Sequence, residues 1–240
     1  MRIALPLAAV VLSCAMAPSA SAQQALTTAE QQAGWRLLFD GTSAAAWRGY
    51  QKPDMQGLRW VVKDGCLALP PADGSDTRGA RDIVTRDEFG DFELAWEWRV
   101  TPGANSGVKY FVQETRPAAI GHEYQIIDDA KHPDAQLREG RRSTASFYDV
   151  LAAPAAKGLT KPVGEFNQSR VLVKGSHVEH WLNGTRVLEY ELDTDGLRAR
   201  IADSKFKDIA GFDTHQRGHL LLQDHGDSVC YRGIKVRDIK

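Results

Sequence analysis

The segment from Phe92 to Val100 constrains the fold more than any other part of the chain. Phe92, Leu94, Trp96, Trp98 and Val100 alternate with Asp91, Glu93, Ala95, Glu97 and Arg99. Residues two apart on an extended strand share a face, so this is a strand with one apolar side, and that side must pack on a second layer. Pro102-Gly103-Ala104-Asn105 then turns the chain into a partner strand over 107–114. Shorter runs predict strands at 60–62, 66–69, 123–127, 146–151, 170–174 and 177–182. Asn183-Gly184 is the strongest short hairpin signal and leads into 186–192. A two-residue turn there sets Leu182 opposite Thr185, Trp181 opposite Arg186 and His180 opposite Val187. One helix is predicted over 194–206, capped by Thr194 and Asp195. Many short strands, frequent Gly and Pro turns and a single short surface helix predict an all-β, antiparallel β-sandwich.

The N-terminus reads as a targeting segment. Met1-Arg2 is positively charged, Ile3 to Cys14 is apolar, and Ala20-Ser21-Ala22 fits a signal-peptidase site. The expectation is a signal peptide at 1–22, one domain over 23–240, and export to the periplasm or beyond. Val11-Leu12-Ser13-Cys14 offers a second reading, a lipoprotein box with Cys14 as anchor. No later run is long and apolar enough to form a membrane span. With 30 basic and 31 acidic residues, nothing in the overall charge draws nucleic acid or anionic lipid, and a small neutral ligand suits the chain better. Cys66 and Cys230 lack metal-ligand spacing; they are either a disulfide formed in an oxidising compartment or two buried thiols.

Two polar clusters interrupt this apolar pattern. Gly121-His122-Glu123-Tyr124-Gln125-Ile126-Ile127-Asp128-Asp129 sets Glu123 and Gln125 on one face, and Leu222-Gln223-Asp224-His225-Gly226 does the same for Gln223 and His225. Burying such groups unpaired costs several kcal/mol, so strands that carry them line a wet cleft. Glu123, Asp128, His132, His180 and His225 offer oxygen and nitrogen ligands but no tight ligand spacing, so the sequence requires no cofactor and leaves a divalent metal open. Phosphate-loop and Gly-x-Ser-x-Gly patterns are absent, and Gly74-Ser75 lacks the latter's context.

Leu38-Phe39-Asp40-Gly41-Thr42, Trp47, Trp60, Asp64-Gly65, Phe92-Glu93-Leu94, Asn105-Ser106-Gly107, Glu123-Tyr124-Gln125, Tyr148-Asp149, Gly164-Glu165-Phe166-Asn167, Glu179-His180-Trp181-Leu182-Asn183-Gly184 and Leu222-Gln223-Asp224-His225-Gly226 follow one another in order. This set resembles the 3-keto-disaccharide hydrolase family, with small departures: Phe166 where Trp is commoner, and no Arg within Lys109 to Val112. The resemblance implies a concanavalin A-like jelly roll with its ligand on the concave face of one sheet. It also implies a glycoside already oxidised at C3 by a separate sugar 3-dehydrogenase. A C3 ketone acidifies the C2 hydrogen, a base removes it, the enolate expels the aglycone from C1, and water adds to the enone.

Within the resembling motifs Glu123, His180 and His225 are the candidate catalytic groups, with Glu123 or His180 as base. Gln125, Gln223, Asn105, Asp128, Tyr148 and Trp181 are the candidate substrate contacts. Plainer roles stand beside these: Glu123 an exposed strand carboxylate, His180 a satisfied core histidine, Asp128 a turn brace, Trp181 a core aromatic. The competing function is a non-catalytic carbohydrate-binding module, which needs stacking aromatics but no general base.

Overall fold

The computed structural model describes residues 24–71, 81–116 and 118–240; the expected signal segment, Cys14 and Gly74-Ser75 lie outside them. The strands are β1 (Arg36–Leu37), β2 (Trp47–Gly49), β3 (Val61–Lys63), β4 (Cys66–Leu69), β5 (Ile83–Phe89), β6 (Phe92–Val100), β7 (Asn105–Val112), β8 (His122–Ile127), β9 (Asn167–Lys174), β10 (His177–Leu182), β11 (Thr185–Glu191), β12 (Gly218–Leu222) and β13 (Val229–Asp238). One sheet runs β11-β10-β9-β6-β13-β4-β3, with β1 also on β13, and the other runs β2-β5-β12-β7-β8. Every pairing between them is antiparallel.

The alternation in β6 does what it predicts. Phe92, Leu94, Trp96 and Trp98 enter a core shared with Val171 and Val173 of β9, Val178 and Leu182 of β10, Val108 and Tyr110 of β7, Tyr124 and Ile126 of β8, and Leu220 and Leu222 of β12. That core is the interior of an antiparallel β-sandwich, as expected. Cys66 and Cys230 form a disulfide between the neighbouring strands β4 and β13.

Four expectations are corrected. The helix α2 spans Asp195–Ala202, shorter than predicted, with Thr194 Oγ1 accepting from the Leu197 amide as its cap. An unforeseen helix, α1 (Thr28–Gln32), is held by a Thr27/Glu30 capping box. Residues 146–151 are turns with isolated bridges from Phe147 to Tyr124 and Leu151, because this loop closes the β8 edge without continuing as a ladder. In the Asn183-Gly184 hairpin the two pairs beside the turn are as predicted, but a bulge between His180 and Trp181 sets His180 opposite Leu188 instead of Val187.

Candidate active site

Period two splits β7 and β8 into two chemically distinct faces. Tyr110, His122 and Tyr124 point into the core, while Asn105, Gly107, Lys109, Glu123 and Gln125 share the outer face of the second sheet. The ladder pairs Lys109 with Glu123 and Gly107 with Gln125. Glu123 is only 3% exposed although it faces away from the core. The glycine explains its seat: a Cβ at Gly107 would stand 3.0 Å from Glu123 Cγ and Cδ and would collide with Oε1. Any larger residue there would evict the carboxylate.

Its neighbours hold that carboxylate from several sides. Lys109 Nζ lies 3.8 Å from Glu123 Oε2 and donates to the Ala119 carbonyl at 3.1 Å. With its amide nitrogen turned toward acceptors, Gln125 donates to Glu123 Oε1 and to the Ser106 carbonyl, each at 3.1 Å. The Tyr148 amide donates to the Glu123 carbonyl at 3.0 Å, and the Ala145 amide donates to the Gln125 carbonyl at 2.9 Å, so the loop through Tyr148 is stitched to β8. Tyr148 Oη donates to Asp134 at 2.7 Å. Burial first, then that bond to Asp134, raises its pKa and keeps the phenol protonated.

Beyond β12 the chain leaves the ladder but stays beside this face, with the Gln223 amide donating to the Gly107 carbonyl at 3.0 Å. Asp224 accepts from Arg59 at 3.0 Å through Oδ1, and its amide donates to Asp82 at 2.9 Å. Burial, opposed by Lys109, raises the pKa of Asp82. Gln223 Oε1 and Asp224 Oδ2 are buried acceptors without a hydrogen-bond partner among the described residues. Exposure therefore grades from a recessed floor at Glu123, Gln125 and Asn105 to a rim at Tyr148, Lys205 and His225. At that rim the His225 ring lies 6.4 Å from His132, whose Nδ1 accepts from the Asp134 amide.

The structure brings together Glu123, Gln125, Asn105, Gln223 and Tyr148, with His225 at the edge, and it separates three other candidates from them. His180 lies in the core, fully buried, on the same face of β10 as Val178 and Leu182. Its Nδ1 donates to the Ala145 carbonyl at 2.8 Å and its Nε2 meets Tyr110 Oη at 2.9 Å. Tyr110 Oη lies 2.7 Å from Tyr190 Oη, which reaches His122 Nδ1 at 2.9 Å, and His122 Nε2 donates to the Phe212 carbonyl at 2.6 Å. Burial pushes His180 down to about 4 and His122 to about 3, so both stay neutral. Trp181 faces the outside of the first sheet, where its Nε1 donates to Glu179 and the Arg170 guanidinium stacks 3.9 Å from its ring centre. Asp128 braces the turn after β8, accepting from the amides of Gly103, Ala130 and Lys131.

Lys109, Gly107 and Lys205 belong to this region without having been singled out from sequence. Alternation onward from Asn105 finds the first two. Lys205 follows α2 and carries no local signal. For a metal, the triad His177, Glu179 and Glu189 gathers on the outer face of the first sheet, but Arg186 already pairs with both glutamates there, at 3.0 and 2.9 Å. None of the five ligands considered from sequence is in it.

A model of the 3-keto-alpha-glucoside-1,2-lyase-like domain matches residues 34–237. A protein of Bacteroides thetaiotaomicron named 3-keto-disaccharide hydrolase is 34% identical over 230 residues, covering 85% of this chain and 78% of its own. A crystal structure from Parabacteroides distasonis, described provisionally as a glycosyl hydrolase, superposes with a TM-score of 0.80 at 29% identity over 91% of this chain and all of that one. A second structure from the same organism superposes at 0.65 and 24% identity, over 85% of this chain and 99% of that one, a likeness of fold.

Proposed function

We propose, from the premise that this chain belongs to the 3-keto-alpha-glucoside-1,2-lyase-like family, that it cleaves 3-keto-glycosides with Glu123 as the base. The observation that carries this reading is the recessed Glu123 carboxylate seated over Gly107 between Lys109 and Gln125. Gln125 donates to one oxygen of the carboxylate and fixes it, so that the other, 3.8 Å from Lys109, can turn toward C2 and take its proton.

The electron pair of the broken C2–H bond moves into the enolate, whose collapse expels the oxygen at C1. That oxygen leaves toward solvent, so its proton comes from the rim, where His225 stands. Water then adds to the enone and the net change is hydrolysis. Gln223, Asn105 and the Tyr148 phenol hold the remaining hydroxyls. His180 takes no part in proton transfer: with both nitrogens engaged in the core, it positions the Ala145 carbonyl and through it the loop that carries Tyr148. The targeting segment at 1–22 fits an exported enzyme fed by a separate sugar 3-dehydrogenase.

The test is release of aglycone from a 3-keto-glucoside and from the same glucoside unoxidised. Turnover of the ketone alone is expected, and Glu123→Gln should lower it by about 10²–10⁴-fold, the usual weight of a general base. Binding of both sugars with no turnover of either would leave a carbohydrate-binding module instead.

A further inference from the structure

Abstraction at C2 throws negative charge onto the C3 oxygen, and the cations around Glu123 differ in how far they are already committed. Lys109 faces Glu123 and bonds the Ala119 carbonyl. Arg142 is shared between Asp134, at 2.6 Å, and Asp149, at 2.7 Å. Arg138 and Arg141 serve Asp149 and Asp203. Lys205 differs: among the described residues no carboxylate lies within 4.0 Å of its ammonium, which instead sits 4.1 Å from the centre of the Tyr148 ring. Tyr148 is the residue whose amide is bonded to Glu123, and the backbone of Lys205 is fixed by its own amide donating to Asp149 at 2.7 Å. A cation on the face of a tyrosine keeps its outward N–H bonds free for a ligand.

We infer that Lys205 is the electrophile of this site: its ammonium hydrogen-bonds the C3 ketone oxygen of the substrate and holds the enolate that Glu123 creates. This deepens, and rests on, the reading of the cleft given above. The step balances within the site: the C2 proton goes to Glu123, its bonding pair forms C2=C3, and the carbonyl π pair moves to the oxygen facing Lys205. On collapse the C3=O bond re-forms, the C2=C3 pair becomes C1=C2, and the C1–O pair leaves with the aglycone. Although the Lys205 side chain reaches solvent, surrounding protein displaces enough water to lower its pKa, with Lys109 and Arg142 adding to this and Glu123 and Asp149 opposing it. A lysine that releases its proton more readily gives a stronger hydrogen bond to an enolate oxygen.

The experiment compares wild type, Lys205→Met and Lys205→Arg on a 3-keto-glucoside. Lys205→Met should lower kcat by about 10²–10³-fold, the cost of deleting one oxyanion donor, with KM moving far less. Lys205→Arg should recover part of that loss, since it restores a cation with N–H donors. The melting temperature should change little in both, because the backbone bond to Asp149 is kept and the side chain touches the loop only over the ring faces of Tyr148 and Phe206. A kcat within about threefold of wild type in Lys205→Met, or a loss confined to KM, overturns the assignment. Borohydride trapping of the sugar on Lys205 overturns it too, since the amine would then be a nucleophile. A wild type that turns over the ketone beside an equally active Lys205→Met removes only Lys205, whereas a wild type inert toward the ketone removes the cleft reading and the lysine's role with it.

Discussion

His122 and Glu123 are neighbours on β8, equally buried, at 2% and 3% exposed, and they belong to opposite worlds. His122 enters the chain His122–Tyr190–Tyr110–His180, closed at both ends by backbone carbonyls, in which each ring nitrogen and hydroxyl has a partner within 2.9 Å. Glu123 turns to the other face, among a lysine held at 3.8 Å and, farther along, acceptors without donors. Buried polarity alone does not mark a site: the core face turns its polar groups onto one another and onto backbone carbonyls, whereas the outer face leaves buried acceptors without a partner among the described residues. The two are mechanically joined, because the Ala145 carbonyl that ends the core chain at His180 lies in the loop stitched to β8 beside Glu123.

The largest test of this contrast is His180→Phe. It leaves the Ala145 carbonyl without its donor and removes one partner of Tyr110, and it should cost about 3 kcal/mol, or roughly 6–12 °C in melting temperature for a chain of this size. A catalytic His180 would instead abolish turnover with stability intact, so calorimetry and kinetics on one variant separate the two. Gly107→Ala acts on the other face. Its methyl displaces the Glu123 carboxylate, and kcat/KM should fall by about 10²-fold while the melting temperature changes little; unchanged kinetics would mean that the carboxylate is not the base.

Acid should reduce the difference between wild type and His180→Phe. The folded pKa of His180, about 4, lies below the value of 6.5 expected in the unfolded chain, so on acidification the unfolded state binds the proton first. The stability contributed by the neutral imidazole is therefore full above about 6.5 and drains as pH falls toward about 4, by about 1.4 kcal/mol per pH unit at most. Chemical denaturation of both proteins across that window measures it, and a constant difference would contradict it. The smallest effect is expected at Trp181→Ala, whose side chain touches neither face of β8 and whose carbonyl, the acceptor for Tyr124 Oη, is kept; kcat/KM should stay within about twofold.

Much of this was legible in the chain, and the misreadings are instructive. The alternation of β6 and the Asn183-Gly184 turn gave sheet and hairpin because period and turn chemistry are local. Glu123 and Gln125 were legible for the same reason. His180 lies in the core and not with the cleft groups, and its neighbours two positions away, Val178 and Leu182, are apolar and already put it on that face, a period that the motif masks. Trp181, one residue on, is thereby turned outward. Lys205 had no such clue, since it reaches Tyr148 across more than fifty residues of chain.

By itself the sequence determined which residues alternate, where the chain turns and which polar groups sit on strands, because those follow from backbone geometry over a few residues. Only the tertiary structure decided which face of each strand meets the second sheet, which imidazoles become internal struts, and which cations gather around Glu123. Those outcomes depend on contacts between distant segments, whose energies no local pattern encodes.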